Sequence, residues 1–457
     1  MPEFQDFVDR TNLMKKLHLF GGAPRSNKVM RLNILISAYY CSPFRGGESA
    51  VGWKVATGLA KHHDVTVICG DLSKDGPTGV DIARYKQDTG LPTGLRIEHL
   101  QAEGLTCIIH DLHALPGLWF LYYEAYRRWQ LQAFDLALKL HNERPFDAIH
   151  HVNVIGFREP GYLWKLDIPF FWGPVSGAAI VPRSFLKDFS AKEQFRWGTR
   201  NMLNRLQIRR AGRPAEAARA ARKVWGVSKE DCAAIALWGV KADPMLEAGC
   251  SPVENRLVRQ REEGEPLRLC WSGRFDGIKA LPLLLRALSG TEATNITLDI
   301  LGSGSEEPRW RKLANQLGVN DRIHWHGMLP RDQALSIMEL SHVLVHTSVK
   351  EGTPHVVLEA LSMGLPVVCH DACGMGTAVT EDSGIKINLI DPATSEREIR
   401  NAIHRLLNEA ALLTRISAGA TKRADELKWD NNLEIFMTAY RLEDQNKEHS
   451  FALDNPR

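Results

Sequence analysis

Residues 345–370 read VHTSVKEGTPHVVLEALSMGLPVVCH, and the fold class follows from this stretch. The apolar run Val343 to His346 predicts a buried strand. A turn follows at Lys350-Glu351-Gly352-Thr353-Pro354, then a helix that carries Glu359 and ends near Met363-Gly364. Pro366 to Cys369 predicts a second strand, so the unit is βαβ. A helix N-terminus leaves backbone N–H groups free and favours anions, which suits a phosphate. A carboxylate beside that position repels phosphate unless it accepts hydrogen bonds from sugar hydroxyls. Together these features point to a sugar nucleotide.

Working outward, the rest of the C-terminal half repeats the alternation. Strands are predicted at Leu267–Trp271, Ile296–Leu301 and Arg322–Trp325, with a helix over Leu281–Leu288. Between the first strand and that helix lies the loop Ser272-Gly273-Arg274-Phe275-Asp276-Gly277-Ile278-Lys279. Gly302-Ser303-Gly304 lacks the third glycine of a dinucleotide fingerprint, because Glu307 stands in its place.

The N-terminal half opens in the same way. Leu32–Ser37 and Val65–Ile68 predict parallel strands joined by a Gly46-Gly47 loop and a helix over 49–62. The glycine pair suits an ordinary tight turn as well as contact with a phosphate or an acceptor. Further strands are predicted at 95–100, 146–151, 168–172 and 223–227, with a helical aromatic stretch from Leu115. The 146–151 strand carries His150 and His151 toward its C-terminal end, where open α/β sheets bind ligands. Gly173-Pro174-Val175-Ser176-Gly177 predicts a turn of small residues that a ligand can approach.

Residues 183–213 hold nine Lys or Arg against Asp188 and Glu193, interleaved with Phe185, Phe189, Phe195 and Trp197. Such a segment suits an anionic membrane surface, or a solvated face over a core stripe. The boundary between the halves falls in the polar stretch 254–265. The expected organisation is therefore an extension over 1–29, one Rossmann-like domain over 30–255 and a second over 264–427.

At 457 residues the chain exceeds one ordinary core, which agrees with two domains. A net charge of +3 is too small to argue for nucleic acid, and no nucleic-acid partner is expected. The eight cysteines have no paired spacing, and Cys369-His370-Asp371…Cys373 lacks a companion motif, so no metal site is expected. No run reaches the ~20 apolar residues of a membrane span, and residues 1–29 do not read as a secretory signal. A cytoplasmic protein is expected, and whether residues 183–213 hold it to the inner face of the membrane stays open.

Glu351 and Glu359 form an E-x7-E motif, with the Ser272-Gly273-Arg274…Lys279 loop upstream and the Gly46-Gly47 loop before it. On these residues the chain, from Met30 to about Arg441, resembles the retaining nucleotide-sugar glycosyltransferases of family 4. Ile149-His150-His151 and Trp172 to Gly177 resemble a bacterial subgroup that assembles surface polysaccharide. The resemblance implies the GT-B architecture, two Rossmann-like domains facing a central cleft. It also implies a last helix, over 428–445, that crosses back to the first domain.

The resemblance further implies transfer of a hexose-type sugar from a nucleotide diphosphate donor to a glycan or lipid-linked glycan, without a cofactor or metal. Arg274 and Lys279 are expected to stabilise the departing phosphate. Glu359 is expected on the ribose, Glu351 on the transferred sugar, and Gly273, Gly352, Thr353 and Pro354 along the donor. A histidine near the end of the 146–151 strand is expected at the donor sugar. Where the family shows D-x-x-H-x-H, this chain has Asp147-Ala148-Ile149-His150-His151-Val152, so His150 and His151 both stay open. Two other outcomes remain: an epimerase or phosphorylase on the same fold, and a non-catalytic module that recruits a partner to a membrane.

Overall fold

The computed structural model describes residues 31–73, 76–115, 117, 118, 120–251, 253, 256–291 and 295–454. The expected extension over 1–29 lies outside them. Two parallel sheets carry the fold. The first contains β1 (Asn33–Ala38), β2 (Asp64–Asp71), β3 (Leu95–Gln101), β4 (Ala148–Asn153), β5 (Phe170–Val175), β6 (Lys223–Gly226) and β7 (Asp243–Pro244). The second contains β8 (Leu267–Ser272), β9 (Ile296–Leu301), β10 (Ile323–Gly327), β11 (Val343–His346), β12 (Val367–His370) and β13 (Gly384–Ile387).

The spatial orders are β3-β2-β1-β4-β5-β6-β7 and β10-β9-β8-β11-β12-β13. Each is the doubly wound order in which the chain reverses direction once, between β1 and β4 and between β8 and β11. Helices diverge at such a point and leave a crevice at the carboxyl ends of the strands. The loops after β1, β4, β8 and β11 are therefore the ones placed to meet a ligand. They include the glycine pair, Lys279 and Glu351.

Strand composition explains the layers. Ile34, Leu35 and Ile36 of β1 and Leu269 and Cys270 of β8 are fully buried, as strands covered on both faces require. β5 runs on through Gly173 and Pro174 to Val175, so the expected turn begins only at Ser176. Gly364, at φ +70°, ends the His355–Ser362 helix, and Leu365 N donates to Ala360 O at 2.9 Å.

The last helix, Trp429–Asp454, crosses back onto the first sheet. Phe436 packs edge-on against His150 with ring centres 4.6 Å apart, and against Trp225 at 5.0 Å. Leu433 fills the space beside Gly58, where an added Cβ would meet it at 2.3 Å.

The basic segment is two helices, Arg183–Leu186 and Ala191–Arg209. Its aromatic residues do not form one outward stripe. Phe185, Phe189 and Trp197 are buried in the core built on the second sheet, alongside Leu267, Trp271 and Phe275. Arg286 Nη1 binds Asp188 at 2.9 Å and Arg309 Nη2 donates to Asp188 O at 2.7 Å, so this segment ties one domain to the other. Phe195, Met202 and Leu206 remain exposed on the opposite face. The burial of one stripe takes up much of the apolar surface that membrane insertion would need.

Candidate active site

The loop after β8 is laid along the end of β9. Gly273 N donates to Leu301 O at 3.0 Å and Phe275 N to Ser303 O at 2.9 Å. Gly302 sits at φ +126°, and a Cβ there would lie 2.0 Å from Gly273 O, so the approach requires glycine. A short turn, Gly277–Lys279, then delivers Lys279 to the crevice. Thr347 fixes the other side: its Oγ1 accepts from Trp271 Nε1 at 2.8 Å and donates to Lys279 O at 2.7 Å.

Within this frame Lys279 Nζ and the Glu351 carboxylate form an ion pair. Both side chains are about one-fifth exposed, at 17% and 20%. Ser348 Oγ donates to Glu351 Oε2 at 3.4 Å, and His346 Nε2 lies 3.6 Å from the same oxygen. Burial raises the Glu351 carboxyl, but His346 and Lys279 beside it bring it down to about 2. Burial holds the His346 imidazole below its ordinary value, hence neutral. The site thus keeps a carboxylate at neutral pH, fixed beside Lys279.

The other expected residues are spread around this pair. Arg274 is 73% exposed and binds Asp276 of its own loop at 2.6 Å. Glu359 faces out from its helix, and its Oε1 accepts from exposed Arg331 at 2.7 and 3.0 Å. Gly352 packs toward the first domain: its Cβ position is 3.7 Å from Ser176 Oγ and 4.0 Å from Ile155 Cδ1. Thr353 Oγ1 accepts from Glu247 N at 3.2 Å. Pro354 is buried at the start of the His355–Ser362 helix. Gly46 and Gly47 are exposed before the Glu48–Ala60 helix, with Gly47 at φ +61°.

The two histidines have separate environments because successive strand residues face opposite sides. His150 Nε2 donates to Gly173 O at 2.8 Å, since a carbonyl only accepts. Its Nδ1 therefore accepts the Tyr440 hydroxyl at 2.6 Å. Both nitrogens of His150 are thus committed to the fold. His151 is also buried, and neither of its nitrogens has a hydrogen-bond partner. Burial pulls His150 down to about 4 and His151 to about 3, so both are neutral.

Several contributors carry no sequence signal. Glu193 Oε2 accepts from Gly277 N at 2.8 Å and so braces the Lys279 turn from a helix 84 residues away. Glu247 is buried with Oε2 unpartnered, and burial together with the nearby Glu48 pushes it up to about 8. Among the described residues no three His, Cys, Asp or Glu gather as a metal site. His370 uses both nitrogens on Ser348 O and Ser395 Oγ, each at 3.0 Å.

Comparison with known proteins adds a family. Residues 254–423, which contain the whole of this constellation from Gly273 to Glu359, match the model described as Glycosyl transferases group 1. This part of the chain is similar to group 1 glycosyl transferases. It is similar to a D-inositol 3-phosphate glycosyltransferase of Streptomyces bingchenggensis, 30% identical over 39% of this chain and 42% of that protein. It is also similar to a lipopolysaccharide 1,6-galactosyltransferase of Escherichia coli K12, 33% identical over 33% of this chain and 43% of that protein. The chain thus spans less than half the length of these curated relatives. Among solved structures, the apo lipopolysaccharide outer core galactosyltransferase WaaB matches 89% of this chain and 100% of its own. The TM-score is 0.61 at 16% identity, so it shares the two-domain GT-B fold. Lys279 and Glu351 stand at the switch point of the C-terminal sheet.

Proposed function

We propose that the chain is a retaining glycosyltransferase that moves a hexose-type sugar from a nucleotide diphosphate donor to a glycan or lipid-linked glycan in polysaccharide biosynthesis. The observation that carries this is the Lys279–Glu351 pair in the β8–β11 crevice. Departure of the nucleotide builds negative charge on phosphate while the sugar gains positive character. Lys279, already positioned, and Arg274, exposed in the same loop, supply the positive charge for that phosphate, so the reaction needs neither metal nor cofactor. Glu351 accepts from hydroxyls of the sugar. Glu359 exchanges Arg331 for the ribose hydroxyls, and Gly273, Gly352, Thr353 and Pro354 bring backbone close to the donor. Gly46-Gly47 serves the acceptor side.

The proposed location is the cytoplasmic face of a membrane. Among the described residues no helix is long and apolar enough to cross one. The exposed Phe195, Met202 and Leu206 lie on the Ala191–Arg209 helix with exposed Lys192, Arg196, Arg205 and Arg209, which suits a peripheral contact. Co-sedimentation with anionic vesicles tests it; no binding at low salt overturns it.

A panel of nucleotide sugars with mass detection tests the reaction. Release of nucleoside diphosphate with a glycosylated product supports the transferase. A changed sugar nucleotide without transfer supports an epimerase, release of a sugar phosphate a phosphorylase, and no nucleotide binding a recruitment module.

A further inference from the structure

The loops after β1 and β4 meet at the switch point of the first sheet. Asn153, the last residue of β4, staples them together. Its Oδ1 accepts from Tyr40 N at 3.1 Å, and its Nδ2 donates to Tyr40 O at 2.8 Å and to Glu48 O at 3.1 Å. Glu48 opens the Glu48–Ala60 helix directly after Gly46-Gly47, and its Oε1 accepts from Ile155 N at 3.5 Å. Ile155 also faces the C-terminal domain, where its Cδ1 lies 4.0 Å from the Cβ position of Gly352, the neighbour of Glu351. One residue thus touches both the Glu48 carboxylate and the loop assigned above to the donor sugar.

The Glu48 carboxylate has no counter-charge. Among the described residues no Lys, Arg or His pairs with it, and its Oε2 has no hydrogen-bond partner. The cations nearest to it in sequence are engaged elsewhere: Arg45 Nε binds Asp81 Oδ2 at 2.6 Å, and Lys54 Nζ donates to Ser251 Oγ at 3.4 Å. The contact with Ile155 N is long and uses one oxygen only. A half-buried carboxylate is costly to keep without a partner. Burial lifts its carboxyl to about 6, so at neutral pH the group is mainly a carboxylate, which accepts hydrogen bonds and donates none. An unpaired acceptor on the first-domain side of the crevice suits a sugar hydroxyl and repels a phosphoryl group.

We propose that Glu48 Oε2 accepts a hydrogen bond from a hydroxyl of the acceptor sugar, and so orients the acceptor against the donor held by the C-terminal domain. This rests on the transferase reading for the word acceptor. The acceptor therefore presents a neutral hydroxyl at this position.

The test is an NMR titration of the methyl α-glycosides of glucose, galactose and mannose into protein saturated with the nucleoside diphosphate that binds it. Glu48→Gln keeps an oxygen for Ile155 N and turns the free acceptor into an N–H donor, so it separates a structural role from a binding one. At least one glycoside is expected to bind, and Glu48→Gln is expected to weaken it at least tenfold with nucleotide affinity and thermal midpoint unchanged. Equal binding to both proteins, or no binding of any of the three at high millimolar concentration, overturns the assignment. A variant that loses nucleotide affinity or thermal stability together with the glycoside marks Glu48 as a structural prop, which also overturns it. If no nucleoside diphosphate binds at all, the transferase reading fails by itself, and the same comparison on the protein alone still decides whether Glu48 holds a sugar.

Discussion

The Lys279 ammonium and the Glu351 carboxylate meet as an ion pair although 72 residues separate them in sequence. The topology brings them together, because β8 and β11 are neighbours in the sheet and strangers in the chain. Against the upward push of burial, His346 and then Lys279 beside it hold the Glu351 carboxyl at about 2, below its unfolded value. Its contribution is thus complete above the ordinary carboxylate range and is lost as pH falls toward 2. Replacing Lys279 by Ala removes the positive charge that the proposed reaction sets against the leaving phosphate. We expect kcat to fall about 10²–10³-fold with the circular dichroism spectrum unchanged. A folded Lys279→Ala variant with near-normal turnover would show that the phosphate is stabilised elsewhere.

Glu247 gives a pH prediction of the opposite sign. Its folded value, about 8, lies above the unfolded carboxyl value. Between the two, the native state holds a proton that the unfolded chain has released, so stability declines as pH rises through this window. Glu247→Gln removes that decline. The variant should gain on the order of 1–3 kcal/mol at pH 8 and nothing at pH 4, measured by urea denaturation at both values. An equal change at both pH values would refute the buried proton.

Tyr440→Phe leaves His150 Nδ1 buried without its donor. The expected cost is about 1–3 kcal/mol, read as a lower denaturation midpoint. An unchanged midpoint would mean that the hydroxyl contact contributes nothing to docking the last helix.

Ala280, directly after Lys279, occupies the left-handed region at φ +48°. That conformation costs an L-residue roughly 1–2 kcal/mol, partly offset in a Gly variant by glycine's extra unfolded freedom of roughly 0.5–1 kcal/mol. Ala280→Gly should therefore stabilise the protein by up to about 1 kcal/mol in thermal or chemical unfolding. A loss of stability would show that the neighbouring turn does not tolerate the added freedom.

Much of the fold was legible because parallel strands buried on both faces leave short apolar runs, as β8 and β9 do. β13 was not, since its four residues GIKI are too short and include a lysine. The Pro77–Asp88 helix buries only Thr78 and Ile82, too thin a stripe to give a period. The spacing of Lys279, Glu351 and Glu359 was visible, but their partners were not. Glu193 beneath Gly277 and Arg331 on Glu359 depend on tertiary approach. The contact of His150 with Tyr440, 290 residues away, which sets that ring against the last helix, was likewise not visible. The basic run at 183–213 was read from composition alone, which cannot tell an aromatic facing a membrane from one buried in the opposite domain.

Binding of a nucleotide diphosphate sugar in the β8–β11 crevice is what the proposed reaction requires first. Calorimetric titration of the purified protein with UDP, GDP and their sugar conjugates measures this directly. One nucleotide series should bind, and both Lys279→Ala and Glu359→Ala should weaken it at least tenfold in folded protein. Absence of binding for every nucleotide, or affinities that neither substitution alters, would contradict the account.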